Sequence, residues 1–159
     1  MPSVGTLFAI TNLLGLVIDD LFKGDGNGRS AHAAQAGSGP VQMRHNRKAI
    51  QMAAGVRWER LTAEPDPDVE FLYVVYDAGA ASCQEDALFQ HRGKEYAYLL
   101  SGRLGVRIGF EEYELGPGDA ISFDAQLPHR LWCIGREPAI GIWTIIRRRG
   151  DSRQPIEHA

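Results

Sequence analysis

From residue 41 to residue 148 the chain reads as a run of short stretches rich in Val, Ile, Tyr, Phe and Trp. Turn signals interrupt it at spacings of roughly 8–12 residues, the signature of an all-β sandwich or barrel. The expected strands are VQMRH (41–45) and KAIQM (48–52), paired with each other, then VRWERL (56–61), EFLYVVYD (70–77), ALFQH (87–91) and EYAYLLS (95–101). LGVRIGF (104–110), EEYEL (111–115), AISFD (120–124), HRLWCI (129–134) and AIGIWTIIRR (139–148) follow. The turns fall at PDPD (65–68), AGAA (78–81), Ser101-Gly102 and Gly116-Pro-Gly-Asp119. At Pro117-Gly118 the proline presets φ for the second position of a type II turn, and glycine supplies the positive φ at the third.

Both flanks differ in texture. Residues 1–22 are apolar with helical spacing: Leu7, Ile10 and Leu14 fall at i, i+3 and i+7 of one helix face. Ser3 is placed to serve as N-cap and Gly15 as C-terminal cap. A second short helix is expected at about Ile18–Phe22. Helices this short do not bury an apolar face alone, so this segment is expected to be mobile or to pack across a dimer. Residues 23–40, KGDGNGRSAHAAQAGSGP, hold no bulky apolar side chain and read as a flexible linker, with His32 a solvated linker residue. Residues 151–159 form a polar tail. The 159 residues therefore divide into a helical piece (1–22), a linker (23–40), one β domain (41–150) and a tail.

Composition removes several classes. A net charge of −3 argues against a basic, nucleic-acid-coating protein. No apolar run reaches the roughly 18 residues that cross a bilayer. The N-terminus lacks the basic region of a signal peptide, and Asp19 and Asp20 stand where a cleavage site belongs, so a cytoplasmic location is expected. Cys83 and Cys133 form no CxxC pair and read as small hydrophobes. Neither a P-loop, a dinucleotide fingerprint nor a GxSxG elbow is present.

The chemistry concentrates in His91-Arg-Gly-Lys-Glu95 and in His129. A three-residue loop centred on Gly93 closes a hairpin, and its flanks would bring His91 and Glu95 together as cross-strand neighbours. Alternation puts Phe89 on the face of His91, Ala97 and Leu99 on the face of Glu95, and Leu131 and Cys133 on the face of His129. The expected pocket is thus walled by Phe89, Ala97, Leu99, Leu131 and Cys133, although Cys133 stands about 13 Å along its strand from His129. Two imidazoles and a carboxylate suit a divalent metal such as Fe, Mn, Ni or Zn. They also suit a buried hydrogen-bonded cluster without metal, and both readings stay open. Tyr96, Tyr98 and Trp132 face away from this pocket, and Trp58, Trp132 and Trp143 read as core or interface packing.

These residues carry a resemblance. The stretch from about 56 to 148 resembles the cupin superfamily, small double-stranded β-helix (jelly-roll) barrels. Of the first cupin motif, G-x5-HxH-x3,4-E-x6-G, the second histidine, the glutamate and the closing glycine fall on His91, Glu95 and Gly102. Of the second, G-x5-PxGxxH-x3-N, Gly118 and His129 match, while Asp124, Gln126 and Cys133 stand at the proline, inner glycine and asparagine positions. Phe89 replaces the first histidine of the HxH pair, leaving three of the four usual metal ligands. The segment PSVGTLFAITNLLGLVIDDLF resembles the last two helices of a Cro/cI-type helix-turn-helix domain, through Pro2, Ser3, Thr6, Leu7, Ile10, Leu14 and Gly15. A helix-turn-helix, a linker and a cupin sensor is the layout of xenobiotic-response-element-type transcriptional regulators. The resemblance implies a small-molecule effector, a homodimer and no turnover. It implies a DNA partner only where an upstream portion supplies the recognition helix, since no residue here can read a major groove. A metal-dependent cupin enzyme, a dioxygenase or isomerase, is the rival reading.

Overall fold

The protein is described by a computed structural model covering residues 1–22 and 39–147. Its elements are α1 (Val4–Leu14), α2 (Ile18–Leu21), β1 (Ala49–Gln51), β2 (Val56–Arg60), β3 (Val69–Tyr76), β4 (Lys94–Ser101), β5 (Leu104–Ile108), β6 (Glu111–Leu115), β7 (Ala120–Asp124), β8 (His129–Cys133) and β9 (Ala139–Ile146). A six-stranded sheet of order β1-β2-β3-β9-β4-β7 faces a three-stranded sheet of order β6-β5-β8, and every pairing is antiparallel. From β4 onward the chain passes back and forth between the sheets, enclosing one core.

Alternation sets which side chains enter that core. On β4 the buried residues are Glu95, Ala97 and Leu99, and on β8 they are His129, Leu131 and Cys133. Gly102 turns the chain from β4 to β5 with φ +76°, and a Cβ there would lie 2.2 Å from the carbonyl oxygen of Pro138. Both the conformation and the close approach require glycine. Gly118, at φ +90°, has the positive φ that the turn before β7 was expected to use.

The helices depart from expectation. Ser3 Oγ accepts from the Thr6 amide at 3.1 Å and Gly15 adopts the left-handed conformation, so α1 is capped as its sequence implies. It is neither free nor waiting for a second chain, however, because it packs on its own barrel. Val4, Leu7, Phe8 and Thr11 are buried, whereas Ile10, Leu13 and Leu14 are exposed. Of the expected face, Leu7–Ile10–Leu14, only Leu7 is buried. α1 is apolar on nearly all sides, so periodicity alone does not choose a face, and the barrel selects the side bearing Phe8. The helix is tied down by the Gly5 amide on Ser82 O (3.0 Å) and the Ala53 amide on Pro2 O (2.9 Å). Ile18 of α2 and Phe22, its C-cap, are buried. Asp19 Oδ2 accepts from the Asp66 amide at 2.7 Å, and Oδ1 lies 3.9 Å from Nη1 of the buried Arg60.

Two expected strands are also corrected. Residues 41–45 do not pair with 48–52; a 3-10 turn occupies Arg44–Asn46, and β1 pairs with β2 instead. Val41 and Met43 remain exposed, so pairing there would bury little. ALFQH (87–91) contributes one bridge, Phe89 with His129, rather than a strand. The expected linker (23–40) lies outside the described residues except for its last two, and His32 and the 151–159 tail lie outside them altogether.

Candidate functional site

Three buried polar side chains meet at one end of the barrel. His91, Glu95 and His129 are 5%, 3% and 0% exposed, and one ligand atom from each lies within 4.8 Å of the others. The routes by which they arrive differ. Glu95 sits on β4 between Phe123 of β7 and Ile145 of β9. His129 opens β8, opposite Ile108. His91 lies in the loop before β4, its amide donating to Ala125 O at 2.9 Å.

His91 and Glu95 touch, but not as the two sides of a hairpin. Each flank pairs with a different strand, and Gly93, at φ +107°, accepts from the Ala125 amide at 3.0 Å. A Cβ at Gly93 would stand 2.8 Å from Ile146 O, so the turn depends on glycine here as well.

Nε2 of His91 is 2.6 Å from Glu95 Oε1, and its Nδ1 is 3.1 Å from the Arg92 carbonyl oxygen. Nε2 of His129 is 3.3 Å from the same Oε1 without hydrogen-bond alignment, and its Nδ1 is 2.7 Å from Leu127 O. Each carbonyl takes an Nδ1 proton and so fixes the ring orientation, leaving Nε2 turned inward. Glu95 Oε2 accepts from Trp143 Nε1 at 2.5 Å. Burial pushes the Glu95 carboxyl up, but the polar contacts and positive charge of His129 and His91 outweigh it and hold it low, at about 2.

Aromatic rings surround the cluster. Phe89 lies 4.3 Å and Phe123 5.0 Å from the His129 ring, centroid to centroid. Phe8 of α1 stacks on His91 at 3.8 Å with an interplanar angle of 8°. The remaining cavity is only about 20 Å³, lined among others by Phe8, Trp58, Tyr76, Phe89, Leu131 and Trp143. Of the expected pocket residues, Phe89 and Leu131 line it. Ala97, Leu99 and Cys133 are buried in the core beyond it, and Cys133 Sγ donates to Glu137 O at 3.1 Å. Trp143, Tyr76 and Phe8 were missed as site residues. Nothing local marks Trp143: its contact with Glu95 exists because β9 lies beside β4, a pairing between distant segments.

The donor set fits a divalent metal. Nε2 of His129 is a buried nitrogen without a hydrogen-bond partner, aimed at a carboxylate oxygen that a second Nε2 already approaches. Three electron-pair donors this close need a cation among them, either a proton or a metal ion. His91 Nε2, His129 Nε2 and Glu95 Oε1 would hold the metal, and Trp143 would orient the carboxylate.

Residues 72–145 match the family model of the cupin domain. The barrel has a cupin fold. Similar solved structures include an HTH_3 family transcriptional regulator from Vibrio cholerae, with TM-score 0.62, 18% identity, and coverage of 93% of this chain and 74% of that one. An RmlC-like cupin from Shewanella frigidimarina gives TM-score 0.59 and 18% identity over 72% of this chain and 96% of that one. The cupin domain of an XRE family transcriptional regulator from Enterobacter cloacae gives TM-score 0.52 and 19% identity over 60% and 99%. No curated protein is significantly similar in sequence. Among the described residues no helix is long and apolar enough to cross a membrane.

Proposed function

We propose that this chain is the small-molecule-sensing cupin of a transcriptional regulator, its effector site built around His91, Glu95 and His129. The observation that carries this reading is the stacking of Phe8 on His91. It joins the N-terminal segment, which resembles the end of a helix-turn-helix domain, directly to the polar cluster. A site whose contents touch the segment leading to a DNA-binding part is arranged for signalling, provided the effector prefers one arrangement of that segment. The likeness in fold to cupin domains of regulators supports the same reading. DNA is a partner where an upstream portion supplies the recognition helix. A homodimer belongs to this reading, since Phe71, Tyr96 and Tyr98 stand exposed on the outer face of the large sheet, and sedimentation velocity checks it.

A second reading, a metal-dependent enzyme, is favoured by the convergence of the three donor atoms. A metal there would supply Lewis acidity or activate oxygen. Metal analysis of the purified protein, oxygen-consumption assays and a metabolite panel scored by melting temperature separate the two. A metabolite-dependent rise in melting temperature without turnover is expected. A stoichiometric redox metal with oxygen consumption contradicts the sensor.

A further inference from the structure

The ring of Phe8 stands in a slot that the barrel itself forms. His91 lies parallel to it at 3.8 Å, Phe89 is stacked at 5.7 Å with an interplanar angle of 15°, and Trp58 is tilted at 60° and 5.7 Å. Those three walls belong to the barrel, whereas the filling ring is carried by a helix outside it. The space left beside Phe8, about 20 Å³, holds roughly one water and no organic molecule. A ligand ring that enters the slot between His91, Phe89 and Trp58 does so by taking the place of Phe8.

We propose that this slot is a binding site for an uncharged planar aromatic ring, and that α1 is its intramolecular occupant. The proposal rests on the sensor reading and names the chemical class of effector. Parallel stacking at such distances suits flat rings and disfavours bulky aliphatic groups. Insertion of a ligand ring expels Phe8, and the helix leaves with it. Ring binding and α1 docking then exclude one another, so each weakens the other by the same factor. The undocked helix is the output: it frees the segment that resembles the end of a helix-turn-helix domain.

α1 is suited to leave. Its outer side is solvated, with Ile10, Leu13 and Leu14 exposed, and it is held by the burial of Val4, Leu7, Phe8 and Thr11 and by two backbone hydrogen bonds, from Gly5 and Ala53. Gly5 faces the barrel, its amide bonded to Ser82 O. A Cβ there would stand 3.3 Å from Phe89 Cβ and 3.4 Å from Cys83 Cβ. A larger side chain at residue 5 presses on Phe89 and Cys83 and so levers α1 off, while His91, Phe89 and Trp58 all keep their own side chains.

The test uses the full chain with fluorobenzene as probe, followed by 19F NMR, together with amide exchange of residues 4–14. Gly5→Leu is expected to bind fluorobenzene about tenfold more tightly than the unaltered protein, because the competing helix is gone. In the unaltered protein, saturating fluorobenzene is expected to speed exchange in α1 several-fold and to leave β3 and β9 unchanged. Equal affinity in the two proteins, or binding that leaves α1 exchange unaltered, overturns the proposal. Should Gly5→Leu fail to fold, Phe8→Ala gives the same affinity comparison with the same two outcomes. A metabolite that raises the melting temperature without altering α1 exchange keeps the sensor reading and sinks this one. Release of α1 by fluorobenzene with no metabolite response does the reverse.

Discussion

The two ends of the barrel are closed in different ways. At one end Leu99, Leu104, Leu115, Cys133 and Ala139 are buried against each other. All five are carried by strands, and their positions follow from register. At the other end β4, β8 and the loop before β4 bring in a carboxylate and two imidazoles, and the seal is a phenyl ring on α1. The first end cannot open without unpairing strands. The second can open by moving one helix, so stability and access are assigned to opposite ends of one fold.

Substitutions that strike one end and spare the other sharpen this contrast. The largest effect is expected from Glu95→Ala, which leaves two buried histidines without their shared partner and should cost about 3–5 kcal/mol in urea unfolding. Leu104→Ala, at the closed end, should cost about 2–5 kcal/mol and speed exchange throughout the barrel. Trp143→Phe removes the donor to Glu95 Oε2 while keeping an aromatic core residue, and about 1–3 kcal/mol should be lost. Phe8→Ala is expected to cost less global stability than Leu104→Ala, since α1 can detach while the strands stay paired. An equal loss for those two would break the distinction between the ends.

The smallest expected effect is on pH dependence. The Glu95 carboxyl is held at about 2 in the folded protein against an ordinary 4.5, so the unfolded chain binds the proton first as pH falls. Its contribution to stability is complete above 4.5 and is lost between 4.5 and about 2. Urea midpoints measured from pH 5.5 to 2.5 should fall more steeply for the unaltered protein than for Glu95→Gln. Identical slopes would show that Glu95 is not held as a carboxylate.

The same contrast explains what was legible beforehand. Strands β5 to β8 could be read closely because Gly102, Pro117-Gly118 and the alternation of Leu104, Val106, Leu131 and Cys133 are local features. The meeting of His91, Glu95 and His129 was legible from spacing, although the proposed hairpin between the first two was not how they meet. The face of α1 was hidden because an apolar helix offers several faces and the barrel, not the helix, selects among them. Trp143 stayed hidden as a partner of Glu95 because β9 reaches β4 from 48 residues away. Chemistry set by side-chain type was readable, and contacts set by long-range docking were not.

Native-state amide exchange, read residue by residue, tests the difference between the ends most directly. Residues 4–14 should exchange through a local opening with a free energy well below that of global unfolding, while β3 and β9 should exchange only when the whole domain unfolds. If α1 and β9 exchange with the same opening free energy and the same denaturant dependence, the mouth does not open on its own and the two ends do not differ.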